Sequence, residues 1–149
     1  GYIVSINISE KKGTKKSGVG KAFVKKGFGI QGDAHGGDWH RQISLLAKES
    51  IEKIKTSDLY LKPGDFAENL TTRGIDLSGL KIGTSLSIGR DVIIDITQIG
   101  KECHDRCAIY HRIGDCVMPR EGLFAKVKRG GWIQKGDEIM VVTLLTSHC

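Results

Sequence analysis

The sequence has no apolar run near the ~18 residues that a membrane-spanning helix needs. Its longest run, residues 139–145, is interrupted by Thr143. Proline is scarce, at 2 residues, and aromatics make up only 6%. No secretion leader precedes the first strand-like segment, so a cytoplasmic location is expected. Disorder is excluded as well, because 39% of the residues are hydrophobic, enough for one core. With 149 residues the chain fits a single domain spanning 1–149. Glycine is abundant, at 20 residues against a usual share of about 7%, which predicts many tight turns joining short strands.

Acidic charge is missing from the start of the chain. Residues 1–30 hold seven lysines (11, 12, 15, 16, 21, 25 and 26) against Glu10 alone, while the rest carries 16 basic and 16 acidic groups. Such a stretch either attracts phosphate or is a solvated loop that keeps an edge strand soluble. No aromatic is interleaved before Phe23, so base stacking has little support and nucleic acid is not the expected partner.

The four cysteines are Cys103, Cys107, Cys116 and Cys149. Three lie within fourteen residues, a clustering unlike the dispersed pairs of a disulfide scaffold. Reduced thiols kept for chemistry or metal are expected, with Cys149 inert at the frayed terminus.

Residue patterns place strands at 2–8, 18–24, 43–46, 66–72, 85–88, 92–97 and 138–144, where β-branched residues alternate or cluster. Residues 27–37 hold five glycines in eleven positions and read as a loop. Helices are expected at 47–54, with Ile51 and Ile54 on one face, and at 121–128, ended by Gly130 and Gly131. Short strands with few helices and dense turns give a mainly β (α+β) class, as a closed or nearly closed β-barrel.

Three segments can carry chemistry. In the first, Gly32, Asp33 and His35 precede Asp38, Trp39, His40, Arg41 and Gln42. Glycines allow close approach of a ligand, and Asp, His and Arg supply an acceptor, a switchable donor and a fixed cation. Metal ligation here lacks a tight ligand spacing such as H-E-x-x-H, and Asp33 and His35 could equally cap their own loop. In the second, Glu68 and Asn69 are adjacent on an expected strand, so one of them should point inward and need a partner. In the third, Cys103, His104, Arg106, Cys107, His111 and Arg112 lead to Cys116. A thiol reacts as thiolate, and cations lower its pKa. Cys107 beside Arg106 therefore suits a nucleophile, a persulfide carrier or a soft-metal ligand. Zinc held by Cys103, Cys107 and Cys116 with His104 or His111 is the competing reading, although a paired C-x2-C is missing.

Taken together these segments resemble the MOSC family, the domain named for the C-terminus of molybdenum-cofactor sulfurases, in its small stand-alone bacterial form. The likeness spans residues 4–142 through GIQGDAHGG with RQISLL, PGDFAENLTTRGIDL, LKIGTSLSIG, CHDRC and MPREGLFAKVKRGGWIQKGDEI. It implies a β-barrel with short helices and a role in sulfur handling or binding of the molybdenum cofactor (molybdopterin). By its Arg-Cys context the central cysteine falls on Cys107, with Cys103 second. Gly32, Asp33, His35, Arg41, Gln42, Glu68 and Asn69 match recurrent positions that would line the same pocket.

The resulting expectation is a carrier, or a sulfur transferase related to cofactor sulfurases. Cys107, helped by Arg106, accepts sulfane sulfur and delivers it to a molybdopterin-type centre, or itself ligates molybdenum. Cys116 could resolve the persulfide as a disulfide. The 149 residues hold no aminotransferase-like segment, so no pyridoxal phosphate is expected on this chain. A separate PLP-dependent cysteine desulfurase and a molybdoenzyme or cofactor-biosynthesis protein are the expected partners, with no membrane involved. The alternatives are a zinc-stabilised interaction module, which chelation would unfold, and a weak nucleic-acid binder acting through the lysine-rich loop.

Overall fold

The structure, a computed structural model, describes residues 1–10, 16–34, 36–52, 68–100 and 122–142. Its strands are β1 (Tyr2–Ile8), β2 (Ser17–Val19), β3 (Lys21–Lys25), β4 (Gly29–Ile30), β5 (Ile43–Ala47), β6 (Leu70–Arg73), β7 (Ser85–Ile88), β8 (Val92–Ile99), β9 (Leu123–Arg129), β10 (Gly131–Gln134) and β11 (Ile139–Val141). A five-residue helix, α1 (Lys48–Glu52), follows β5, and a 3-10 turn covers Leu77–Gly79. Alternation explains several strands directly. In β8, Val92, Ile94 and Ile96 point into the core, while Ile93, Asp95 and Thr97 are half-exposed between them.

Eight strands form one sheet in the order β11-β7-β8-β9-β5-β6-β1-β2, and three form a second in the order β10-β3-β4. Neighbours in the large sheet are antiparallel except β5 and β6, which are parallel and therefore joined by a crossover that begins with α1. The core is aliphatic: Ile3, Ile6, Leu45, Leu70, Ile94 and Ile139 are fully buried. Each such side chain contributes about 1.5–3 kcal/mol relative to exposure.

The large sheet curls. Residues 136–139, which lead into one edge strand, also meet the first half of β1, near the other edge. Ile3 N–H donates to Asp137 O and Gly136 N–H to Ile3 O, both at 2.9 Å, and Tyr2 bridges Glu138. No continuous ladder joins β1 to β11 among the described residues, so neither sheet is closed into a barrel. The mainly β class with few short helices holds. No helix among the described residues is long and apolar enough to cross a membrane.

The strand expected over 18–24 is two strands, β2 and β3, broken at Gly20, and the glycine-rich loop contains the two-residue β4. The helix expected at 121–128 is instead strand β9. Leu123 and Val127 repeat at helical spacing, but Leu123, Phe124, Ala125 and Val127 are all buried because β9 lies between β8 and β5 in mid-sheet. Gly130 and Gly131 do not end a helix. They form the passage into β10, where a Cβ on Gly130 would meet Val24 O at 2.5 Å.

Candidate functional site

The ends of β1, β5 and β6 meet in a polar cluster whose members are nearly all buried. Asn69, just ahead of β6, is 1% exposed and serves as its hub. Its Oδ1 accepts from Ser44 N–H at 2.9 Å, its Nδ2 donates to Asn7 O at 3.1 Å, and its own N–H donates to Ser44 Oγ at 2.9 Å. Asn7 extends the network by donating to Thr71 Oγ1 at 3.0 Å, and Thr71 donates to Glu68 Oε2 at 2.7 Å. Glu68 and Asn69 were expected to face opposite ways. Both are buried, because they lie in a bend before β6 begins and strand alternation does not apply to them.

Asp33, from the glycine-rich loop, is buried against Lys16, whose Nζ lies 2.6 Å from Asp33 Oδ1 with both side chains fully shielded. Ser9 N–H donates to the same oxygen at 3.1 Å. Burial pushes the Asp33 carboxyl up, but hydrogen bonds from Lys16, Asn69 and Ser9 N–H, with the Lys16 charge, outweigh it and hold the group below its ordinary 3.8. Lys16 thus departs from both readings of the lysine-rich stretch, being neither solvated nor available to phosphate. Gly32 precedes the pair on the surface with φ +93°, a backbone state that disfavours side chains.

Arg41 and Gln42 close the same loop and open β5. The Arg41 guanidinium lies over the Trp39 ring at 4.7 Å and the Phe124 ring at 5.4 Å. Its Nε is buried with no hydrogen-bond partner among the described residues, as is Nε2 of the fully buried Gln42. Gln42 Oε1, by contrast, accepts from Val127 N–H at 2.8 Å. The loop is pinned to β8 where Thr97 Oγ1 donates to His40 O and His40 Nε2 lies 2.7 Å from Gln98 Oε1. Gln98 Nε2 in turn donates to Gly100 O at 2.7 Å, and Gly100 N–H donates to Gly122 O at 2.6 Å. Those two glycines flank residues 101–121, so Arg41 sits beside the root of the cysteine segment.

The structure therefore joins Asp33 and Asn69, ties Glu68 to Asn7 and Thr71, and places Arg41 and Gln42 at the opening of β5. His35, Cys103, Arg106, Cys107 and Cys116, with Cys149, lie outside the described residues. Sequence reasoning missed Lys16, Asn7, Ser44, Thr71 and Phe124 as members of these clusters. Asn7, at the end of a β-branched run, carried the one local signal: a buried amide in a strand needs partners. Among the described residues no group of three His, Cys, Asp or Glu could hold a metal ion.

A family model for the MOSC domain matches residues 31–140. No curated protein matches the chain. Among solved structures, the YuaD protein of Bacillus subtilis is similar with a TM-score of 0.71 at 21% identity, over 93% of each chain. YiiM from Geobacillus stearothermophilus has a TM-score of 0.70 at 21% identity, over 95% of this chain and 75% of that one. YiiM from Escherichia coli has a TM-score of 0.65 at 17% identity, over 97% and 71%. At these identities the likeness shows the fold alone.

Proposed function

Because the chain belongs to the MOSC domain family, which is linked to molybdenum-cofactor sulfurase-type function, we propose that it handles sulfur for, or binds, a molybdopterin-type centre. The observation that carries this reading is a pair of buried donors at the opening of β5 that lack acceptors among the described residues, Gln42 Nε2 and, beside the root of the cysteine segment, Arg41 Nε. A buried N–H without a partner costs about 1–3 kcal/mol. An oxygen-rich ligand relieves that cost, and the phosphate and pterin oxygens of the cofactor are of that kind. Arg41 is preorganised for the task, since the Trp39 and Phe124 rings hold its plane.

Cys107 is the sulfur-bearing residue of this proposal, with Cys103 second and Arg106 as the adjacent cation. Its thiolate attacks the outer sulfur of a persulfide on a desulfurase partner, the partner's thiolate leaves, and Cys107 keeps the sulfane sulfur. A molybdenum centre, when bound, would take up that sulfur as sulfide with two electrons from a thiol reductant, and the soft thiolate of Cys107 would equally suit ligation of the metal. Gly32, Asp33, His35, Glu68 and Asn69 would shape and orient the pocket rather than react. Asp33 and Asn69 are already committed to hydrogen bonds within the fold, which suits them to that positioning role.

Intact-mass measurement after incubation with a PLP-dependent cysteine desulfurase and cysteine tests the reading. The expected result is one added sulfur, mapped to Cys107 and absent from Cys107→Ser. Full loading of that variant would overturn the assignment. Arg41→Gln should load sulfur normally yet lose affinity for the cofactor.

A further inference from the structure

A second surface lies at the opposite end of β8 from Arg41 and is independent of the cofactor reading. The pairing of β3 with β10 sets Phe23 opposite Trp132 and Lys21 opposite Gln134. On β3, Ala22 and Val24 point into the core, so Lys21, Phe23 and Lys25 share the outer face. On β10, Ile133 points inward and Trp132 outward, leaving the indole 59% exposed. The Phe23 and Trp132 rings meet edge to face at 5.3 Å, and Lys21 Nζ lies 5.1 Å from the Trp132 centroid.

Beside the indole is a cavity of about 230 Å³ lined by Lys21, Arg90, Asp91, Trp132, Gln134 and Asp137, among others. Arg90 and Asp91 enter it from the β7–β8 turn, which abuts β10 so closely that a Cβ on Gly131 would lie 2.8 Å from Asp91 Cβ. Asp137 Oδ2 is engaged by Gln134 N–H at 2.9 Å, which caps the turn into β11. Lys21, Lys25 and Arg90 make no ion pair among the described residues. The face thus combines an exposed flat ring, a second ring supporting its edge, and three cations without an ion pair among the described residues, against two carboxylates, Asp91 and the turn-capping Asp137.

From this arrangement we infer that the β3–β10 face binds single-stranded nucleic acid, with a base stacked on Trp132 and phosphates on Lys21, Lys25 and Arg90. Bases stack on exposed aromatics without regard to sequence, and interleaved cations follow the backbone. Lys21 is long and exposed, so its weak contact with the ring yields readily to a base. An acidic peptide would match the cations but has no use for the indole face, which is the feature that selects nucleic acid.

The test is fluorescence anisotropy with a labelled oligothymidylate of about ten nucleotides. Wild-type protein should bind, and raising salt from about 50 to about 200 mM should weaken binding about 15- to 20-fold, as three phosphate contacts on a single strand require. Trp132→Ala, at an exposed site that the fold tolerates, should weaken binding roughly 5- to 100-fold. Lys21→Gln with Arg90→Gln should flatten the salt dependence while circular dichroism stays unchanged. Affinity unaltered in Trp132→Ala overturns the inference, because the lysine-rich loop would then be the binding element. Competition by polyglutamate as effective as that by unlabelled oligothymidylate overturns it in favour of an acidic protein partner. Absence of binding at low salt overturns it outright.

Discussion

Replacing Lys16 by Met isolates the buried ion pair that anchors the glycine-rich loop. Met keeps most of the aliphatic stem and removes the ammonium 2.6 Å from Asp33 Oδ1. Breaking a buried pair on one side costs about 3–5 kcal/mol, because an uncompensated charge stays behind. Asp33 retains the Ser9 N–H bond at 3.1 Å, which places the expected loss near the lower end, about 3 kcal/mol. For a domain of this size that lowers Tm by about 10 °C, and urea unfolding followed by circular dichroism measures it. The pH dependence supplies an independent check. In the wild type the Asp33 carboxyl is held below 3.8, so its contribution is present above the unfolded value and is lost as pH falls through the folded one. In Lys16→Met, burial without the cation raises the folded value, and the gap between variant and wild type narrows as the medium becomes acidic. A double variant, Lys16→Met with Asp33→Asn, should recover most of the lost stability, since no charge is then stranded and the amide oxygen still accepts from Ser9 N–H. A single-variant loss below about 1 kcal/mol, the range of an exposed pair, together with a gap that does not change with pH, would refute the reasoning.

Gln42→Leu should destabilise by only about 1 kcal/mol in urea. Val127 N–H loses its acceptor, but Gln42 Nε2, which has no partner among the described residues, is removed at the same time. A loss above about 3 kcal/mol would mean that Nε2 is satisfied in the folded protein. Gly29→Ala should cost about 2–4 kcal/mol, because φ is +122° and the new methyl would lie 2.4 Å from Gln42 O. Gly20→Ala, with open space around the Cβ position, should stay within about 0.5 kcal/mol. Equal melting temperatures for the two glycine variants would contradict the close approach of β4 to residue 42.

How much was legible depended on how many sides of an element are covered. In β7, Ser85, Leu86, Ser87 and Ile88 alternate cleanly because one face is half-exposed, and its bounds were readable from sequence. In β9 the first three residues are buried on both faces, by the core and by Arg41 over Phe124, which leaves alternation only from Ala125 to Lys128, and the i, i+4 repeat of Leu123 and Val127 imitated a helix. At the candidate site, Asp33, Gln42 and Asn69 could be singled out as polar residues in glycine-rich or strand-end settings. Their partners could not, because Lys16 reaches Asp33 and Asn7 reaches Thr71 only after distant strands pair. The Phe23–Trp132 platform was hidden for the same reason: the register of β3 against β10 is a tertiary fact.

The bridge between Ile3 and residues 136–139 also bears on the order in which the protein can assemble. During vectorial synthesis β1 is made first, yet half of one flank stays bare until Gly136 and Asp137 have been added. Its other flank waits for β6, which itself needs the parallel alignment with β5. Such non-local pairings raise contact order and slow folding. The nascent chain therefore carries an unsealed apolar strand through most of translation, exposed to pairing with other chains. A chain halted before residue 136 would keep that flank open and aggregate, whereas one extended a few residues further would be protected.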